Sequence, residues 1–383
     1  MTPNSSYATA GRSILCVVGA RPNFVKAAPV VHALARRAGV EVRILNTGQH
    51  YDRALAGSFI EQLGMPFPDY DLGVGSGSHA TQTAAVLVGV EEKLLESRPD
   101  AIVVVGDVNS TVAAALAAAK LGVPVVHLES GLRSGDWTMP EEINRIVTDG
   151  ISDLLLCHCA EAVDNLAAEG IAGERVALVG NTMIDSLFRL LPAARERDVL
   201  PRLGLQAGRY VLVTLHRPAL VDDPQRLGAV VEVLAGLTDT VPVVFPLHPR
   251  TRARLDGVAP AALERLHVLD PLEYLDFLAL QASARLVVTD SGGVQEETSA
   301  LGIPCLTYRD NTERAITVEL GTNLLVGVDP MALARASAVA LARPVRPRNP
   351  IPLWDGAAGE RAGEAILDLL ARRDAAPGRS QAA

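Results

Sequence analysis

Short apolar runs that stop at a polar or glycine-bearing turn and pass straight into a helical segment recur along almost the whole chain. Ser13 to Val18 opens into Gly19-Ala20-Arg21-Pro22-Asn23, Glu41 to Asn46 into Thr47-Gly48-Gln49-His50-Tyr51-Asp52, Ala101 to Val105 into Gly106-Asp107-Val108-Asn109, and Val123 to Leu128 into Glu129. After a proline- and charge-bearing stretch from Leu191 to Arg209 the pattern starts afresh. Tyr210 to Leu215 leads to His216-Arg217-Pro218, Val241 to Phe245 to Leu247-His248-Pro249-Arg250, and Leu286 to Val288 to Asp290-Ser291-Gly292-Gly293. Strands buried on both faces read as unbroken apolar runs, and their alternation with helices calls for parallel sheets. The chain is therefore predicted to be α/β, with two whole βα domains at residues 1–182 and 183–360 facing a cleft. Residues 361–383 read as a C-terminal helix packing back on the first domain and a mobile tail. Pro29 is expected to kink the first helix, Val25 to Arg37, or to confine its regular part. The proline-rich stretch from Pro344 to Pro352 reads as a segment that crosses between domains.

The composition fits this class. Of 383 residues, 49% are hydrophobic but only 4% aromatic, which favours sheets packed by Ala- and Leu-rich helices. The net charge of −9 argues against nucleic-acid and membrane-surface partners. The polar start MTPNSSYATAGR lacks the apolar core of a signal peptide, so a cytoplasmic location is expected. Four cysteines suit that compartment. Cys157-His158-Cys159 offers too few ligands for a metal, and strand alternation points His158 away from the two thiols, so no metal is expected.

Ligands of open α/β sheets bind beyond the carboxyl ends of the strands, which puts Arg21, Gln49, Asp107 and Glu129 on one rim. Asp107 reads equally as a turn cap. Glu129 is harder to explain structurally, because a carboxylate directly after VVHL gains nothing from core packing. Glu141 and Glu142 follow Pro140 and are accounted for by a helix start alone. On the second rim, the two glycines of Asp290-Ser291-Gly292-Gly293 let a phosphate approach a helix N-terminus, and Glu296 or Glu297 stands where a ribose diol would lie. A capped helix, with Ser291 or Asp290 as N-cap, explains the same residues equally well. Taken singly, Arg21, Lys26 and Arg314 read as surface charges, His216 and His248 as turn histidines, and Phe277 as a core residue of an amphipathic helix.

The blocks GARPNFVKAAPV, NTGQHYD, VVGDVNST, HLESGLRS, MPEEINR, VGNTMID, LHRP, LHPRT, TDSGGVQEETSALGIPCL and RDNTER occur in the order found in the non-hydrolysing UDP-N-acetylglucosamine 2-epimerases. The chain resembles that family from about Ile14 to Gly327. The resemblance implies two Rossmann-like domains of the GT-B type, a homodimer, and inversion at C2 of a UDP-sugar substrate without NAD or a required metal. It implies loss of the C2 proton, elimination of UDP to a glycal, and re-addition with protonation on the opposite face. By motif, Asp107, Glu129 and Glu141 resemble the catalytic carboxylates, with base and acid not assigned among them, and His216 resembles the histidine that helps UDP depart. Arg21 and Lys26 resemble basic groups near the phosphates. Ser291, Gly292 and Gly293 resemble the diphosphate cradle, Glu297 the ribose ligand and Phe277 the residue beside uracil, while Arg314 falls at a binding position.

Three departures bear on detail. Cys159-Ala160 stands where many relatives carry Thr-Glu, and Ala315 replaces a proline after the TER tripeptide. Gln49-His50-Tyr51-Asp52 differs from the Gln-His-Arg-Glu of relatives activated by their own substrate, so such activation is not expected here. Rival readings at this stage are a hydrolysing epimerase, an epimerase of a modified UDP-sugar, a GT-B glycosyltransferase and a silent nucleotide-sugar binder. Joint retention of Asp107, Glu129, Glu141 and His216 argues against the last.

Overall fold

The computed structural model describes residues 11–48, 53–255, 257–343 and 350–375. Gln49-His50-Tyr51-Asp52, most of the proline-rich crossing segment and the tail beyond residue 375 lie outside the described residues. The chain divides into two units, residues 1–186 with 353–383, and residues 187–352.

Each unit is α/β with a fully parallel sheet, as the βα recurrence predicts. In the first unit the strands are β1 (Arg12–Val18), β2 (Val40–Asn46), β3 (Tyr70–Asp71), β4 (Ala101–Val105), β5 (Val125–Ser130), β6 (Leu154–Cys157) and β7 (Val176–Leu178). They lie in the order β3-β2-β1-β4-β5-β6-β7. The second unit holds β8 (Val211–Thr214), β9 (Val243–Pro246), β10 (His267–Leu269), β11 (Leu286–Thr289), β12 (Cys305–Thr307) and β13 (Asn323–Leu325), in the order β10-β9-β8-β11-β12-β13. In both sheets the order reverses at one place, between β1 and β4 and between β8 and β11. Crevices open at such reversals, because the crossovers on either side leave to opposite faces.

The cores are aliphatic. Leu15, Val17, Ile102, Val104 and Val125 of the first sheet pack against Val86, Val90 and Leu94 and against the alanines of the helix Asn109–Lys120. Val211, Val213, Phe245, Leu286 and Val288 anchor the second. The four cysteines are free and buried. His158 is buried with its ring against Trp354, whose indole Nε1 donates to the His158 carbonyl at 3.1 Å.

The first helix corrects one expectation. It runs Arg21–Ala35, so the turn read after β1 is already helical, and Pro29 lies inside it. Pro22 fits the first turn, where no amide partner is needed. Asn23 accepts from the amides of Gly19 and Ala20 at 3.2 and 3.0 Å and donates to Val105 O at 3.0 Å, which ties the end of β1 to that of β4. Pro29 has no N–H for the carbonyl of Val25, and the hydroxyl of Ser186 donates to that carbonyl instead, at 2.6 Å.

The last helix, Ala358–Ala375, belongs to the first unit and packs along the Arg21 helix. Asp185 accepts from the amides of Ala358 and Gly359 at 3.2 and 2.7 Å and so closes its N-terminus. No described helix is long and apolar enough to cross a membrane.

Candidate active site

In the first unit the reversal between β1 and β4 gathers the polar residues of the first rim. Arg21 opens the helix after β1, is exposed, and stacks its guanidinium over Phe59 at 5.5 Å. Lys26 lies one turn further in and is buried, with Nζ 2.7 Å from Oε1 of the equally buried Glu129. The Glu129 backbone is left-handed, with φ of 70°, at a register shift between Leu128 and Ser130. A β-bulge of this kind re-aims a side chain, and a non-glycine residue there stores about 1–2 kcal/mol of strain. The sequence places Glu129 after its strand. In the structure it interrupts the strand, because the bulge turns its carboxylate toward Lys26.

Asp107 follows β4, and its Oδ2 accepts from Arg145 Nη1 at 2.5 Å. Arg145 is itself buried and donates from Nε and Nη2 to Glu142 Oε2 at 3.1 and 2.7 Å. Glu142 also accepts from the amides of Ser134 and Gly135. Burial pushes the Glu142 carboxyl up, but Ser134, Arg145 and Gly135 together prevail and hold it below its ordinary value. Of the two glutamates that the helix start explained, Glu142 thus orients Arg145, while Glu141 is half-buried and has no hydrogen bond or ion pair among the described residues. Asn144 donates to the Asp107 carbonyl at 2.8 Å.

A strut lies behind these groups. His127, fully buried in β5, contacts Asp149 with Nδ1 at 2.6 Å and the Gly106 carbonyl with Nε2 at 2.8 Å. Asp149 also faces Arg133 at 2.8 Å and the Gly131 amide at 3.1 Å. Burial raises the Asp149 carboxyl, yet His127 and Arg133 hold it below the usual carboxylate range. The residues just before Asp107 and just before Glu129 are therefore cross-linked.

In the second unit the reversal between β8 and β11 brings His216 beside Asp290. Asp290 Oδ2 accepts from the amides of His216 and Arg217, each at 2.8 Å, and Oδ1 lies 3.2 Å from His216 Nδ1. Burial pushes the Asp290 carboxyl up, but His216 and the two amides hold it below the usual range. Asp290 thus braces the neighbouring strand exit rather than capping its own helix. Ser291 stands at the N-cap with no side-chain cap bond.

The helix Gly292–Leu301 starts at the cradle residues Gly292 and Gly293. A Cβ on Gly292 would come within 2.8 Å of Glu313 Oε1, so a larger residue here would displace a carboxylate of this chain. Glu313 takes Arg309 Nη2 at 2.8 Å and lies 3.7 and 3.8 Å from Arg217 and Arg314. Burial raises its carboxyl, but Arg314, Arg309 and Arg217 hold it well below its ordinary value. Arg314 Nε lies 3.0 Å from Glu296 Oε1, so of the adjacent glutamates Glu296 serves the arginines. Glu297 accepts from Tyr274 Oη at 2.6 Å and Gln281 Nε2 at 3.0 Å, and burial pushes it up to about 7 against both hydrogen bonds. Phe277 is half-buried on the helix Tyr274–Ala282, which also carries Tyr274 and Gln281. The structure groups Lys26, Asp107 and Glu129 in one unit and His216, the glycine turn, Glu297 and Arg314 in the other.

Sequence reasoning did not single out Asn23, His127, Arg145, Asp149 or Glu313. Only Arg145 left a signal, the three-residue spacing that pairs it with Glu142 on one helix face.

The family model described as UDP-N-acetylglucosamine 2-epimerase matches residues 32–367. The chain is 39% identical to the UDP-N-acetylglucosamine 2-epimerase of Methanocaldococcus jannaschii over 354 residues, covering 90% of this chain and 96% of that protein. It is 41% identical to the UDP-2,3-diacetamido-2,3-dideoxy-D-glucuronate 2-epimerase of Pseudomonas aeruginosa over 359 residues, covering 93% and 99%. The crystal structure of the M. jannaschii enzyme in complex with UDP-GlcNAc and UDP superposes with a TM-score of 0.84 at 38% identity, covering 94% and 99%, so the fold is shared. With its ordered motifs, its two parallel sheets and these matches, the chain belongs to the UDP-N-acetylglucosamine 2-epimerase family.

Proposed function

We propose that this chain is a non-hydrolysing epimerase that inverts C2 of a UDP-2-acetamido sugar, interconverting UDP-N-acetylglucosamine and UDP-N-acetylmannosamine. The observation that carries the reading is Glu129, a buried carboxylate held in a left-handed backbone at a bulge and ion-paired to Lys26 at 2.7 Å. A C2–H with no adjacent carbonyl is a poor acid, so a positioned base must act together with stabilisation of the departing diphosphate. A carboxylate of the first unit takes the C2 proton, the C1–O bond breaks, and UDP leaves with its electron pair to give a 2-acetamidoglycal. The UDP oxygen then adds back to C1 as a second carboxyl group, in its protonated form, delivers a proton to the other face of C2. Glu129, Asp107 and Glu141 supply these proton transfers, and Lys26, adjacent to Glu129, keeps a positive charge near the phosphates together with Arg21. On the other unit, Ser291, Gly292, Gly293 and Arg314 receive the diphosphate, Glu297 the ribose, Phe277 the uracil, and His216 assists departure. The protein works in the cytoplasm as a homodimer.

A second reading, epimerisation of a UDP-2,3-diacetamido uronate, is favoured by the 41% identity to the P. aeruginosa relative. Both readings are tested by proton NMR of the purified protein in D₂O with each UDP-sugar in turn and no acceptor. Epimerised UDP-sugar carrying deuterium at C2 is the expected result, and the substrate that turns over chooses between the two readings. Free 2-acetamido sugar plus UDP would instead mean a hydrolysing enzyme. Unchanged spectra with both sugars would overturn the proposal.

A further inference from the structure

We infer that Asp290 is a positioning residue for His216, holding the imidazole in the tautomer that carries its proton on Nδ1 and presents Nε2 away from the protein. The inference rests on the proposed role of His216 in UDP departure. Its geometry stands on four observations. Asp290 is buried to 1% exposure at the end of β11, one register position beyond the pair Thr289 and Thr214 that joins β11 to β8. Its Oδ2 is committed to the amides of His216 and Arg217. Its Oδ1 is buried, has no aligned hydrogen bond from any described group, and lies 3.2 Å from His216 Nδ1. Arg217 Nε donates to the Asp290 carbonyl at 3.0 Å, which fixes the carboxylate's own backbone.

A buried carboxylate oxygen needs a donor, and His216 Nδ1, 3.2 Å away, is placed to supply one. The proton of neutral His216 therefore belongs on Nδ1. The His216 side chain as a whole keeps 34% exposure, so the ring is not sealed in the core. The other groups facing the ring agree with this. His248 lies 5.2 Å away, centroid to centroid, and its Nδ1 accepts from the Arg250 amide at 3.2 Å, so its proton sits on Nε2. Arg217 adds a positive charge from the same turn and no acceptor. A histidine locked in this way places Nε2, neutral or protonated, on the anion side, and Asp290 stabilises the imidazolium if a proton arrives there.

The test is Asp290→Asn. The asparagine carbonyl can still accept from the amides of His216 and Arg217, while its NH₂ meets Nδ1 and forces the proton to Nε2. Long-range ¹H–¹⁵N NMR of ¹⁵N-histidine protein at pH 8, with His216 assigned by its loss in His216→Gln, reads the tautomer directly. The expected result is Nδ1–H in the wild type and Nε2–H in Asp290→Asn. With it, kcat should fall on the order of 10²-fold or more while UDP affinity stays within about threefold. An Nε2–H signal for His216 in the wild type overturns the inference whether or not the variant folds. An unchanged tautomer or an unchanged kcat in a folded variant overturns it as well. Failure of the epimerase reading is distinguishable, since the wild type would then give no epimer deuterated at C2, while the tautomer would still answer for Asp290.

Discussion

At the scale of single residues, Glu129 separates chemistry from architecture. Its carboxylate is paired with Lys26 in a buried setting, and removing one partner of such a pair strands the other charge. Glu129→Gln keeps an acceptor for Lys26 and tolerates the same left-handed backbone no worse than glutamate does, so the fold should hold. Turnover should drop on the order of 10³-fold or more, with UDP affinity changed by less than about threefold. Isothermal titration with UDP beside a steady-state assay checks this. A folded variant that no longer binds UDP would mark Glu129 as a holding group instead of a proton carrier. The sequence indicated that Glu129 had no packing reason to sit where it does. It contained no sign of the bulge or of the pairing with Lys26, because the ion pair joins residues 103 positions apart. The same holds for Asp107 and Arg145, 38 positions apart. Tertiary pairing of this kind leaves no local pattern to read.

At the scale of elements, strands were legible because burial on both faces writes an unbroken apolar run, and strand exits were legible because the runs stop abruptly. The start of the first helix was not. GARPN has the composition of a turn, yet Asn23 bonds both amides before the helix and reaches across to β4, so helix begins at Arg21. β3 is only two residues long, too short to write an apolar run. Pro29 shows the same dependence on context. A proline inside a helix frees a carbonyl, which Ser186 satisfies here, and Gly359 lets the last helix approach closely. A Cβ on Gly359 would lie 2.6 Å from Pro29 Cβ and 2.7 Å from its carbonyl carbon and oxygen. Gly359→Ala should therefore cost about 1–3 kcal/mol, as overpacking against backbone does, and lower the thermal midpoint by several degrees. Calorimetry checks it. A midpoint equal to that of the wild type would mean that the two helices are not pressed together as described.

At the scale of the whole molecule, the two sheets repeat one device, a reversal of strand order with polar residues at the strand exits. In the first unit the helices His79–Ser97 and Pro140–Ile151 both pack against the helix Asn109–Lys120 and leave Val88, Leu95, Ile143 and Val147 exposed. Exposed apolar side chains on two helices that flank a third suit a self-complementary contact between two copies, and we place the proposed homodimer contact there. The double variant Leu95→Glu with Ile143→Glu should sediment as a monomer when the wild type sediments as a dimer. Equal masses for the two proteins would place the dimer contact elsewhere or remove it.

The last helix completes the first unit, and this has a consequence for biosynthesis. Ribosomes release a chain from its N-terminus, so residues 11–186 emerge long before the segment from Ala358 to Ala375 that covers the Arg21 helix. Residues 187–352 form a unit continuous in sequence and can close as soon as they are made. The first part to be translated is thus the last to be finished. Until then the apolar flank of the Arg21 helix waits uncovered, a task for whatever chaperone meets the nascent chain.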